Sequence, residues 1–146
     1  MWPNKKSNTN MIIDKKLLKK FTDLAIKDMS EYKDELDFSN NSIKIVEKFL
    51  DEVHRQYKID KKEDGLFGIA LECGNYIVST IEHNYGEGEF KRDHPEMGEG
   101  AFPFSIDGQV IFPVMWCMKR IYDGKADNVW SKYNYFIINK IKNKDS

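Results

Sequence analysis

The sequence predicts an α+β domain in which about five helices pack on a small antiparallel sheet built around a β-hairpin at residues 101–112. Three observations carry this. Apolar residues recur at helical spacing over several long segments. Two β-type runs flank Asp107-Gly108, a pair that readily takes the positive φ values of a tight hairpin turn. The chain has 146 residues, 40% apolar and 13% aromatic, enough for one real core and too few for two.

Residues 1–10 have the composition of a frayed tail, which leaves 11–146 as a single domain. From Asp14 to about Met29, the residues Leu17, Leu18, Phe21, Leu24 and Ala25 follow helical spacing with lysines opposite, an amphipathic pattern. A second helix starts after LDFSNNS, where Ser39 or Asn40 can accept the free amide hydrogens of the first turn. Its stripe is Ile43, Val46, Leu50, Val53 and Tyr57, and the charged segment up to Gly65 is expected to be a loop.

The next segment, residues 66–85, is apolar on most sides, as a central helix is. Its polar positions form a narrow wedge of Glu72, Asn75, Ser79 and His83, with Tyr76 at the edge. The β-branched residues Ile77, Val78, Thr80 and Ile81 leave a strand over the C-terminal half as an alternative. Gly86 to Gly100 is glycine-rich and is expected to be a loop or a loosely paired strand. After the hairpin, Pro113 suits the first turn of a helix carrying Val114, Cys117, Met118, Ile121 and Tyr122. Asp127 is the expected N-cap of a last helix bearing Val129, Trp130, Tyr133, Phe136, Ile137 and Ile141.

Charge is uneven although the net is −1: residues 1–27 sum to +5, 28–65 to −4, 66–100 to −5 and the remainder to +3. A near-neutral total argues against a dedicated nucleic-acid binder. No apolar run approaches the roughly 18–20 residues that span a bilayer. The polar start and the two cysteines, Cys73 and Cys117, fit a cytoplasmic, reducing address.

Five short segments are Leu36-Asp37-Phe38-Ser39, Gly74-Asn75-Tyr76-Ile77, Gly86 to Phe90, Phe112-Pro113 and Lys119-Arg120-Ile121, spread over roughly residues 36–135. Together they resemble a small bacterial family of unassigned function, domain-of-unknown-function family 3806. Where the family pattern has Gly-Glu, this chain has Val78-Ser79, so a role for that glutamate does not carry over. The resemblance implies a cytoplasmic bacterial α+β domain and no chemistry. In size and acidity the chain is also similar in type to bacterial immunity proteins paired with toxins.

Catalytic constellations are not evident. Cys73 and Cys117 sit on apolar stripes without the electropositive setting that activates a thiol. His54 is expected at the core boundary, hydrogen-bonded locally. His83 and His94 lie near many carboxylates but lack a spacing that fixes a metal geometry. No cofactor or metal is expected.

The function this supports is non-enzymatic protein binding by an immunity-like or regulatory factor. Acidic Glu87, Glu89, Asp93, Glu96 and Glu99, with Trp116, would meet a basic partner such as a toxin or enzyme. The alternative is a small-molecule or metal-binding domain whose candidate pocket is Glu72, Asn75, Tyr76, Ser79 and His83.

Overall fold

A computed structural model describes residues 12–141 of the chain, so the expected tail lies outside the described residues. Helix α1, Lys15–Asp28, begins where the Asp14 carboxylate accepts the Leu17 N–H at 2.8 Å. That contact satisfies one orphan donor of the first turn. A 3₁₀ segment, Ser30–Glu35, leads to Leu36 and Phe38. Ser39 then caps a short 3₁₀ turn, Asn40–Ser42, its hydroxyl accepting the Ser42 N–H at 3.2 Å, and the chain runs on into α2, Ile43–Asp60.

Helix α3, Leu66–Tyr85, is continuous, so the strand alternative does not apply to its C-terminal half. The β-branched residues that suggested a strand, Ile77, Val78, Thr80 and Ile81, are all buried in the core. Packing there outweighs a weak β propensity, because tertiary burial fixes their rotamers in either geometry. Gly65 and Gly86, both at positive φ, bracket the helix.

The glycine-rich tract supplies β1, Glu89–Phe90, to a three-stranded antiparallel sheet of order β1-β2-β3. Strands β2, Phe104–Ile106, and β3, Gln109–Ile111, form the hairpin. Its turn residues Asp107 and Gly108 have φ of 55° and 79°, the two positive values of a type I′ turn. Phe90 pairs with Phe104 and both face the core, while Glu89, Ser105 and Val110 align on the outer face. The Ile13 N–H donates to the Phe90 carbonyl at 2.7 Å, which ties the start of α1 to the sheet edge.

Helix α4, Pro113–Asp123, starts on its proline as expected. The last helix, α5, Val129–Tyr133, widens into a π-helical turn, Asn134–Asn139. Its cap is Asn128, whose side-chain oxygen accepts the Ser131 N–H at 2.8 Å, and not Asp127. Asp127 instead pairs with Lys132 at 3.1 Å. One residue of register decides which oxygen reaches the first turn.

The fold is therefore α+β, with α3 at its centre between α1 and α4. At the α3–α4 crossing, a Cβ on Gly74 would stand 2.5 Å from Val114 Cγ2, so only glycine permits that approach. On the far side of α4, Arg120 is buried and clamped by Glu47 at 2.8 Å and Asp51 at 2.6 Å. Glu47 also accepts the Val129 N–H at 2.9 Å, so one ion cluster joins α2, α4 and the start of α5. Among the described residues no helix is long and apolar enough to cross a membrane.

Candidate functional site

The polar wedge of α3 does not face open solvent along its length, because α1 packs over it. Asn75 and Tyr76 are buried, Glu72 and Ser79 are half-buried, and only His83 is exposed. The matching residue on α1 is Thr22, buried in the middle of that helix's inner face. Its hydroxyl donates to the Asn75 backbone carbonyl at 3.2 Å and lies 2.7 Å from the Ser79 hydroxyl. With the Thr22 proton spent on the carbonyl, Ser79 must donate to Thr22. The Asn75 side-chain nitrogen donates to the Leu71 carbonyl at 2.7 Å. Sequence reasoning missed Thr22, although a threonine in the otherwise apolar stripe Leu18, Ala25, Met29 was its signal.

Phe38 was also missed as a site residue. It adopts φ of 62°, a conformation that costs a bulky residue about 1–3 kcal/mol and persists only when its surroundings enforce it. Here they do so from both sides. The Phe38 N–H donates to the Tyr76 hydroxyl at 3.1 Å, and Asn84 donates to the Phe38 carbonyl at 2.8 Å. Tyr76 in turn donates to the Ser42 hydroxyl at 2.8 Å, which donates to the Ser39 carbonyl at 2.6 Å. The relay leaves each hydroxyl both donating and accepting, and such chains polarise one another. Burial raises the Tyr76 pKa above the ordinary phenol value, so the hydroxyl stays protonated. The Phe38 ring stacks on Tyr76 at 5.2 Å and lies 6.1 Å from the His83 ring.

These elements line an open cleft of about 530 Å³ between α1, the C-terminal half of α3 and Phe38. Its apolar lining comes from Leu18, Ile26 and Phe38, and its polar lining includes Ser79 and His83. Lys15 pairs with Glu82 and Lys19 with Asp23, so the charges at the rim are compensated. Glu82 is held further by the Gly88 N–H at 2.9 Å. Hydrogen bonds from Ser39 keep the nearby Asp37 carboxyl below its usual range, with a smaller contribution from His83. Of the five predicted pocket residues, the cleft brings Ser79 and His83 to its wall, while Tyr76 acts behind Phe38.

Glu72 and Asn75 lie on another sector. Glu72 meets Asp28 at the end of α1, and burial first, then that neighbouring carboxyl, pushes its pKa up to about 7. One Glu72 oxygen is buried without a hydrogen-bond partner among the described residues. Two carboxylates cannot hydrogen-bond each other unless one holds a proton, so the Asp28 contact adds to the effect of burial.

The predicted partner-binding set divides. Glu87, Glu89, Glu96 and Glu99 are exposed. Asp93 is fully buried, accepting from Arg92 at 2.8 Å and from the Gly100 N–H at 2.9 Å, so it shapes the loop and offers no steering charge. Trp116 is likewise buried, stacked on Phe136 with ring centroids 5.8 Å apart. The π-helical turn brings Phe136 over a flank of α4 that a helical wheel alone leaves open. His94 accepts two N–H groups, from Glu96 at 3.1 Å and Met97 at 3.0 Å, and so orders the tip of the loop.

His54 donates from Nδ1 to the Ile121 carbonyl at 2.7 Å, a contact between α2 and α4 and not a local one. Both cysteines are buried and free, and burial raises both thiol pKa values. Among the described residues no group of three or more His, Cys, Asp and Glu is placed to hold a metal ion. Compared with protein-family models, curated proteins and solved structures, the chain matches none.

Proposed function

We propose that this protein is a non-enzymatic binding domain whose ligand occupies the cleft between α1 and α3. The observation that carries this is Phe38, held in a strained backbone conformation by Tyr76 and Asn84 so that its ring walls the opening. Strain of this kind is retained where pre-organisation is useful. The volume of about 530 Å³ falls in the ordinary range for small-molecule sites.

The lining supports a ligand class. Paired charges at Lys15–Glu82 and Lys19–Asp23 disfavour a ligand of high net charge, and the apolar walls favour a ring. A neutral or zwitterionic ring compound stacking on Phe38, with a donor for the Ser79 oxygen, fits both. Binding is favoured over catalysis because the Ser79 proton is committed to Thr22 and both thiols are buried and protonated.

The test is a thermal-shift panel of tryptophan, tyrosine, adenosine and uridine against the wild type, Phe38→Ala and His83→Ala. A ring compound that raises the wild-type Tm and loses that effect in Phe38→Ala supports the reading. Equal shifts in all three proteins, or none anywhere, argue against it.

A second reading keeps the expected protein partner, and one observation favours it. Glu96, Met97 and Glu99 stand exposed on a turn that Asp93 and His94 hold in one shape. A preformed acidic turn costs little ordering entropy on docking to a basic surface, as an immunity-like or regulatory factor requires. Glu96→Lys with Glu99→Lys should then slow association with such a partner, and should remove its salt dependence.

A further inference from the structure

The flank of α1 turned away from the cleft carries Leu17, Phe21 and Leu24, none of them fully buried. At 100° per residue these three share one sector, distinct from the inner stripe of Leu18, Thr22 and Ala25. Leu17 and Phe21 face Leu71 and Asn75 of α3, Phe102 and Arg92 across a groove of about 200 Å³. Phe67, one turn before Leu71, is 48% exposed and extends this wall, its ring 6.3 Å from that of Phe102. A groove of this size is below the range of small-molecule and cofactor sites and suits one large apolar side chain.

The rim is predominantly basic. Lys16, Lys20 and Lys27 are exposed and share a surface furrow with Leu24 and the Lys19–Asp23 pair. Among the described residues none of the three takes part in an ion pair, unlike Lys15, which meets Glu82, and Lys19, which meets Asp23. The Asp28–Glu72 pair closes the far end of the same flank. An apolar slot with cations along one edge is the complement of an amphipathic segment whose edge is acidic.

We propose that this groove docks an acidic amphipathic segment of a partner protein, with one large apolar side chain entering between Phe21, Leu71 and Phe102. Its carboxylates pair with Lys16, Lys20 and Lys27. The groove shares no lining residue with the ligand cleft, and the Lys19–Asp23 pair borders both the cleft and the lysine furrow. Anchor and rim divide the labour: the apolar side chain supplies affinity and the lysines supply choice of partner.

The test uses three helical peptides that share one Leu/Phe face and differ only in flanking residues, which are Glu, Gln or Lys. Fluorescence anisotropy against the full chain at low and high salt reads their affinities. At low salt the Glu-flanked peptide should bind at least tenfold more tightly than the Lys-flanked one, and high salt should shrink the gap. Lys16→Glu, Lys20→Glu and Lys27→Glu together should invert the order, and Phe67→Ser should weaken all three peptides. Both variants alter exposed positions, so the fold is kept. Equal affinities for the three peptides, or no binding of any, overturn the proposal. So does uptake by phosphatidylserine vesicles through the same lysines in the absence of peptide binding, which assigns the flank to a membrane surface.

Discussion

The Tyr76 hydroxyl accepts the backbone N–H of Phe38 at 3.1 Å and so joins the buried face of the central helix to a loop residue in the left-handed region. Tyr76 is buried and the Phe38 ring lies at the cleft wall. A core side chain thus sets the position of a surface ring.

Removing that hydroxyl should therefore act twice. Tyr76→Phe leaves the Phe38 N–H unsatisfied and interrupts the relay to Ser42, at a cost of about 1–2 kcal/mol of stability. Urea unfolding measures the loss. The same variant should weaken any cleft ligand more than Tyr85→Phe does, since Tyr85 bonds to Asn40 and not to the Phe38 backbone.

Two glycines of α3 should respond in opposite directions to alanine. At Gly74 the added methyl meets Val114 side chain and backbone within 3 Å, so overpacking of about 1–3 kcal/mol outweighs the helix-propensity gain. At Gly68 nothing stands within 4 Å, and alanine should stabilise by about 0.5–1 kcal/mol. Thermal unfolding of the two variants, one Tm falling and the other rising, checks the pair.

The carboxyl pair predicts a pH slope. Glu72 titrates near 7 in the folded protein, against about 4.3 in an unfolded chain. Between those values the folded state holds a proton that the unfolded state has lost, so this group's contribution to stability falls as pH rises. Above about 7 both states are ionised and the slope ends. Glu72→Gln should remove this component, and comparing urea midpoints of the two proteins at pH 5 and pH 8 isolates it. An unchanged difference between the two pH values would count against a raised Glu72 pKa in the folded protein.

Arg120 should be costly to lose. Its loss leaves Glu47 and Asp51, one turn apart on the same face of α2, without their shared cation. Arg120→Met should destabilise by about 3 kcal/mol, since breaking a buried pair strands the remaining charge. Replacing all three by apolar residues should recover part of that loss, which equilibrium unfolding can measure.

Much of the fold was legible because local chemistry specified it. The helical spacing placed the start of α1 at Asp14, Asp107-Gly108 turned the hairpin and Pro113 opened α4, each a local signal. What stayed hidden depended on long-range packing. A helical wheel places Asn75 and Ser79 on a polar sector, yet it does not show that Thr22 of another helix covers them. Asp93 looked like surface charge because its partners, the Arg92 guanidinium and the Gly100 N–H, close on it only once the loop folds back. Trp116 was hidden by Phe136 for the same reason, and His54 found its acceptor 67 residues away. The strained φ of Phe38 has no sequence signature, since glycine or asparagine ordinarily marks a positive φ and here a phenylalanine carries it.

The most direct test of the cleft as the ligand site is an amide NMR titration of the full chain with the ring compound that gives the largest thermal shift. The perturbed amides should cluster at Phe38, Ser79 and His83, with Thr22 following through its hydroxyl contact. Perturbations confined to the Glu96–Glu99 turn or the Phe21–Leu71 groove, with the cleft amides unmoved, would contradict it.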